Sequence, residues 1–99
     1  MKFWIETEEN EEEGLVLYLD EHYPSDTVEP IYEINEEENA DFFDNLLAFL
    51  TQDNKLTIYY TESLMQEMLQ IVEFAVKNND LVILVIVKTS SHDPNEDVD

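Results

Sequence analysis

The chain has 99 residues, with 25 aspartates and glutamates against four lysines and no arginine, and its formal net charge is −21 at pH 7. Such a charge repels nucleic acid and anionic membranes, which excludes direct binding to either, and it attracts basic partners. The hydrophobic fraction of 43% excludes a disordered acidic tail, because such segments lack the apolar surface that offsets chain entropy. The absence of cysteine excludes disulfides and thiolate chemistry.

The same features predict a cellular location. No apolar stretch reaches the length of a transmembrane helix, and the N-terminus becomes acidic within a few residues where a signal peptide would be apolar. We therefore expect a cytoplasmic protein with no membrane partner.

The N-terminal third predicts β-structure. Residues 2–6 and 15–19 are rich in β-forming residues and predict the two strands of a hairpin. Residues 7–14 between them are highly charged and predict an acidic loop. A third strand is predicted near 28–34, and it is expected at a sheet edge because Pro30 has no N–H to donate to a ladder.

A first helix is predicted to begin after Asn35, a good N-cap residue, with Glu38 three positions on as in a capping box. It is expected to end near residues 52–54. Its phenylalanines and leucines fall on one side, which predicts a buried face. Glu37, Asp41 and Asp44 fall close together on the opposite side and predict a carboxylate stripe facing solvent.

The remaining segments predict a strand at 55–60, a helix at 62–77 and a final strand at 81–87. The strand at 55–60 alternates, with Leu56, Ile58 and Tyr60 on one face. The core side of the helix is predicted to consist of Leu64, Met68, Ile71, Val72 and Ala75. The final strand is uniformly apolar and is expected at the centre of the sheet, covered on both faces. The order β-β-β-α-β-α-β predicts an α+β fold, in which a mixed β-sheet with two helices packed on it forms a single domain over residues 1–89. Residues 90–99 predict a disordered acidic tail.

The candidate catalytic and metal-binding residues are few. His22 and His92 fall in a predicted turn and in the tail, without the spacing of a metal motif. Gly14 alone cannot form a phosphate-binding loop, and the clusters at 11–13 and 36–38 lack the spaced ligands and central glycine of a calcium loop. We therefore expect no enzymatic activity, no cofactor and no specific metal site.

The acidic residues are concentrated in the first half of the chain, where 16 of the 25 lie within residues 1–44. Side chains on one face of a strand are about 6.6–6.8 Å apart, and helix neighbours at i,i+3 and i,i+4 are about 5–6 Å apart. Carboxylates with this spacing are expected to form a rigid ladder comparable to a phosphate backbone. The ladder residues are Glu29, Glu33, Glu37, Asp41 and Asp44. The other candidate partner-binding residues are Glu11, Glu12, Glu13, Glu36 and Glu38.

The size, the charge and the interleaving of acidic with aromatic residues resemble the small acidic DNA-mimic proteins, which are mostly made by bacteriophages. That class shares no motif, so the resemblance rests on composition. It implies an inhibitor that binds the cationic DNA-binding surface of a host protein in the host cytoplasm and blocks DNA binding there. Its target would be a nucleoid-associated protein, RNA polymerase, a nuclease or a repair enzyme.

Residues 41–88 also resemble the C-terminal part of barstar-type immunity proteins, which inhibit a basic ribonuclease. The similarity is carried by residues 44–50 and 80–84. Ala48 stands where a key inhibitory acid is expected, and residues 1–34 predict strands in place of a helix. An acidic chaperone for basic proteins is a third alternative.

A homodimer is the last expectation from the sequence. The segment 15–19 has large apolar side chains on both faces, and a domain of this size has few helices to cover them. Strand or sheet pairing between two copies is expected to cover the second face and to extend the acidic surface.

Overall fold

The computed structural model describes residues 2–22 and 29–89. These residues form a four-stranded mixed sheet with two helices packed on it, which confirms the predicted α+β class. The elements are β1 (Trp4–Asn10), β2 (Gly14–Asp20), α1 (Ala40–Leu50), β3 (Lys55–Thr61), α2 (Met65–Asn78) and β4 (Ile83–Thr89). A single 3-10 turn, Glu62–Leu64, leads into α2. The predicted tail at 90–99 lies outside the described residues.

The strand order in the sheet is β1-β2-β3-β4. β1 and β2 form an antiparallel hairpin, whereas β2, β3 and β4 are parallel, with α1 and α2 as the connections between them. Leu17 of β2 and Ile58 of β3 are paired and fully buried against residues of both helices. Both helices therefore lie on one face of the sheet. We call the opposite face, which no helix covers in the part of the chain described, the open face.

The core lies between the sheet and the two helices. The buried residues of α1 are Phe43, Leu46 and Leu50, which belong to the predicted apolar face of this helix. Those of α2 are Met68, Ile71 and Ala75, also as predicted. The 3.6-residue period of each helix therefore fixed which side chains are buried.

α1 begins later than predicted. Its first residue is Ala40, and the preceding residues form a turn in which Asn35 Oδ1 accepts the N–H groups of Glu37 (2.8 Å) and Glu38 (3.2 Å). The Asn35 N–H donates in return to Asn39 Oδ1 (2.9 Å). Asn35 therefore caps this turn and not α1, whose N-cap position is occupied by Asn39 without a side-chain capping bond. The reciprocal bond predicted from Glu38 is made by Asn39.

β1 extends well into the segment that was predicted to be a loop. It pairs with β2 along its whole length, from Trp4 opposite Asp20 to Asn10 opposite Gly14. Only residues 11–13 form the turn, which is closed by a bond from the Glu13 N–H to Asn10 Oδ1 (2.6 Å). The loop prediction at 7–10 was wrong because pairing with an apolar partner strand outweighs the low β-propensity of glutamate.

The predicted third strand is reduced to one bridge within the described part of 28–34. Ile31 pairs antiparallel with Phe3, through bonds of 2.9 Å from the Phe3 N–H and 2.7 Å from the Ile31 N–H. Pro30 has no N–H with which to extend the ladder. The bridge lies just before β1, at an edge of the sheet as expected. Val28 lies outside the described residues.

The predicted central position of the last strand was wrong, because β4 lies at the edge of the sheet and β2 and β3 occupy its centre. Ile83, Val85 and Ile86 remain 53%, 39% and 38% exposed. β2 also has a strand on each side, and Val16 is fully buried. A second copy therefore cannot add a strand beside residues 15–19, and homodimerisation itself stays a prediction.

Candidate functional site

The ten acidic residues predicted to bind a partner occupy four places. Residues 11–13 form the tip of the β1–β2 hairpin, and residues 36–38 form the turn before α1. Asp41 and Asp44 are exposed on α1, where helix geometry places them about 5–6 Å apart. Glu29 and Glu33 are exposed on either side of Ile31, outside any strand. The predicted ladder is therefore regular only at the two helical aspartates.

Charge is unevenly distributed between the two halves of the structure. Residues 2–22 and 29–54 contain 16 acidic residues and only Lys2, for a net charge of −15. Residues 55–89 contain four acidic residues and three lysines, for a net charge of −1. Because β1 and β4 are opposite edges of the sheet, one edge is strongly acidic and the other is almost neutral.

The acidic side of the open face carries a cluster that the sequence analysis did not identify. Tyr18 of β2 and Tyr59 of β3 are paired in register, and their rings stack with centroids 5.0 Å apart and planes 10° from parallel. The Tyr18 hydroxyl donates to Glu8 Oε2 (3.2 Å), and the Tyr59 hydroxyl donates to Glu13 Oε2 (2.8 Å). Glu6 lies opposite Tyr18 in the β1–β2 register. We call these five residues the tyrosine–glutamate cluster.

The hairpin tip is fixed over β3. The Glu13 carbonyl accepts the Thr57 hydroxyl (3.0 Å), and the Glu12 carbonyl accepts Lys55 Nζ. Thr57 is 1% exposed although it lies on the open face. The backbone of Glu12 and Glu13 is therefore bonded to β3, and the Glu13 carboxylate is held in addition by the Tyr59 hydroxyl.

The surroundings of the two tyrosines raise their pKa values. For Tyr18 the main cause is partial removal from water, followed by the hydrogen bond to Glu8 and the nearby negative charges. For Tyr59 the raised pKa comes first from the hydrogen bond to Glu13 and then from desolvation. Both hydroxyls therefore stay protonated and donate to the carboxylates, which holds these acceptors in place.

A pH dependence follows from these shifts. Because the folded-state pKa values are raised, the stability that they contribute is present below about pH 10, the ordinary tyrosine pKa, and is lost as the pH rises through the raised values. The double variant Tyr18→Phe/Tyr59→Phe is expected to lose less stability above about pH 10 than the parent protein. Urea unfolding over a pH series measures this, with Tyr32→Phe, at an exposed position, as the control. If the free energy of unfolding fell equally steeply with pH in the parent protein and the double variant, the raised pKa values would be contradicted.

The cluster was missed because residues 7–10 were predicted to be loop. The signal was present in the alternation of the sequence, which places Glu6 and Glu8 on one face of a strand and Thr7 on the other. The same alternation in β2 and β3 separates the tyrosines from the buried leucines. Alternation alone does not predict that β2 pairs with β3, and it is this pairing that brings the two rings together.

A groove of about 470 Å³ lies between β1 and α1 on the helical side of the sheet. Leu17 and Phe42 contribute apolar surface, and Glu9 and Asn45 contribute polar groups. Ala48, where a barstar-type inhibitory acid was expected, is exposed beside this groove. The groove therefore presents no acidic side chain at that position.

Within residues 2–22 and 29–89, no group of three or more histidine, aspartate and glutamate side chains is arranged to hold a metal ion. None of the helices described is long and apolar enough to cross a membrane. No family model matches the chain, and neither curated proteins nor solved structures show a significant match to it. The geometry and charge of the acidic hairpin surface are therefore the basis on which a function can be proposed.

Proposed function

We propose that the protein is a DNA mimic that binds the cationic DNA-binding surface of another protein and keeps DNA away from it. The observation that carries the proposal is the fixed acidic surface of the hairpin, where tyrosine hydroxyls and β3 hold Glu8 and the tip glutamates. A basic groove that binds this surface releases its own bound anions, which favours association as it does on DNA. Partners of this kind are expected to arrive faster at low salt, since the net charge of −15 steers them.

The tyrosines favour arginine in the partner. The rings of Tyr18 and Tyr59 stack face to face beside the carboxylates of Glu8 and Glu13, and Tyr18 is 36% exposed. A guanidinium group can lie on an aromatic face while it donates hydrogen bonds to a neighbouring carboxylate, whereas a lysine ammonium lacks the planar fork.

A displacement experiment tests the proposal. Labelled duplex DNA is bound to a purified nucleoid-associated protein, RNA polymerase, a repair enzyme or a nuclease, and the protein is added at low and at moderate salt. Displacement of DNA from at least one of these proteins is expected, with polyglutamate at equal total charge displacing much less. Displacement from none of them, or equal displacement by polyglutamate, would contradict DNA mimicry. The measurement with the nuclease also tests the immunity-protein alternative, because such an inhibitor would displace DNA from the nuclease and from none of the other proteins.

Three variants with four neutralised charges each locate the binding surface. The hairpin variant changes Glu6, Glu8, Glu12 and Glu13 to glutamine. The helix variant changes Glu36 and Glu37 to glutamine and Asp41 and Asp44 to asparagine. The tail variant makes the corresponding changes at Asp93, Glu96, Asp97 and Asp99.

The hairpin variant is expected to raise the concentration needed for half-displacement by about tenfold or more, because pairing charges at fixed positions requires no ordering on binding. The helix variant is expected to raise this concentration by a smaller factor, and the tail variant is expected to raise it less than about twofold. Since each of the three variants removes four negative charges, a protein that acts as a generic polyanion would displace DNA equally weakly in all three forms. Equal losses would therefore contradict the assignment of binding to fixed carboxylates.

A further inference from the structure

The outer edge of β4 has the properties of a strand that pairs with another strand. β4 pairs with β3 on one side and with no other strand in the described residues. The Ile83 N–H donates to Asn54 O (2.6 Å), which lies just before β3. Because backbone groups alternate along a strand, the N–H and C=O groups of Leu84 and Ile86 point away from β3, toward the free edge.

This edge lacks the usual protection against pairing. Natural edge strands carry charges, prolines or bulges that prevent association with another strand. β4 has the sequence ILVIVKT, in which Lys88 is the only charged residue and neither proline nor glycine occurs. Ile83, Val85 and Ile86 are exposed along it. A strand of this composition is a template for a further strand.

The charge distribution indicates a second copy as the partner of this edge. Two chains of net charge −21 repel one another over most of their surfaces, but residues 55–89 have a net charge of only −1. The acidic strand β1 is three strand spacings from β4, or about 14 Å. That distance exceeds the Debye length of about 8 Å at physiological salt, so the acidic edges barely repel when two β4 strands meet.

We propose that two copies of the protein pair through β4 in antiparallel orientation and form a continuous eight-stranded sheet. The inference is independent of the proposed function. The twofold axis passes beside Val85, so that Val85 faces its own copy, Ile83 faces Val87, and Leu84 exchanges hydrogen bonds with Ile86. This register pairs apolar residues only with one another, and it places the two Lys88 side chains at opposite ends of the paired segment.

The association closes at two copies. After β4 has paired, the remaining edge of each copy is β1, which carries Glu6, Glu8 and Glu9. Like charges facing one another across a strand pair are destabilising, so β1 does not add a third copy. The dimer presents its two acidic hairpins at the far ends of one sheet.

Sedimentation over about 1 µM to 1 mM protein tests the dimer. The expected result is conversion of an 11.7 kDa monomer to a dimer of twice that mass as the protein concentration rises. Added salt is expected to lower the protein concentration at which this conversion occurs. The variant Ile86→Lys is expected to remain monomeric, whereas Leu69→Lys, at an exposed apolar position on α2, is expected to dimerise. A monomer throughout, or growth beyond the dimer, would overturn the proposal.

Cysteine cross-linking tests the edge directly, because the chain has no cysteine of its own. Directly opposed residues of this kind of pair have Cα atoms about 4.5 Å apart, within the range of about 4.4–6.8 Å that a disulfide spans. Val85→Cys is therefore expected to form a disulfide-linked dimer rapidly under mild oxidation. The matched variant Val87→Cys places its two thiols about 14 Å apart along the strands and is expected to form no disulfide-linked dimer under the same oxidation.

Equal cross-linking of the two variants would overturn the pairing through β4, even if the parent protein were a dimer. A parent protein that stays monomeric but loses DNA displacement on Ile86→Lys would show that the edge takes a strand of the target, which also overturns self-pairing. Retained displacement by a monomeric Ile86→Lys variant, together with a dimeric parent, supports the proposal and separates it from the proposed function.

Discussion

Replacing Phe3 with alanine is expected to lower the free energy of unfolding by about 3–5 kcal/mol, the range for truncation of a buried phenylalanine. The side chain is 1% exposed and belongs to the core cluster. Its two backbone bonds to Ile31 do not depend on the ring, so the expected loss comes from packing. A domain of this length is typically stable by about 5–15 kcal/mol, and urea unfolding followed by circular dichroism measures a loss of this size readily.

The control for this prediction lies in the same segment. Tyr32 follows the bridging residue Ile31 and is 68% exposed, so Tyr32→Ala is expected to change the stability by no more than about 0.5 kcal/mol. If Phe3→Ala also cost less than about 1 kcal/mol, the ring would not be part of the core.

The elements predicted well from the sequence are those whose pattern is local. Alternation in residues 55–60 separates Leu56 and Ile58, which are buried beneath the helices, from Tyr59 on the open face. The 3.6-residue period of the two helices likewise identified their buried faces. These patterns depend only on which neighbouring positions are apolar, and the fold class follows from their order along the chain.

The strand order could not be obtained in the same way. The apolar run at 81–87 indicates that both faces of the strand are apolar, but it does not indicate whether anything covers them. β4 lies at the edge because the chain makes both parallel connections in the same direction across the sheet, from β2 to β3 and then to β4. An exposed apolar strand is therefore a property of the topology, and the sequence pattern alone suggested a central strand.

The candidate site was only partly predictable for a similar reason. The acidic clusters at 11–13 and 36–38 are visible in the sequence and are exposed or half-buried in the structure. The bond between Tyr59 and Glu13 joins residues 46 positions apart, and no local pattern indicates it. Contacts between distant segments depend on the register of the sheet, which the hairpin turn and the packing of the helices determine.

Replacing Gly14 with alanine is expected to destabilise the fold by about 3 kcal/mol or more and to displace the hairpin tip. Gly14 is the only glycine of the chain, and its φ of 73° is a conformation that costs other residues about 1–3 kcal/mol. A Cβ at this position would also overlap the carbonyl group of Lys55 in the neighbouring strand. Backbone cannot move aside as a flexible side chain can, so the tip must separate from β3.

The variant Gly14→Asn separates the two causes. Asparagine tolerates a positive φ better than alanine, but its Cβ meets the same carbonyl of Lys55. If the overlap dominates, as we expect, both variants lose similar stability in urea unfolding. Both are then expected to break the bond between Tyr59 and Glu13, so that the Tyr59 hydroxyl titrates closer to its ordinary pKa in an ultraviolet absorbance titration. Recovery of most of the stability by Gly14→Asn, with an unchanged Tyr59 titration, would contradict the close approach of the hairpin tip to β3.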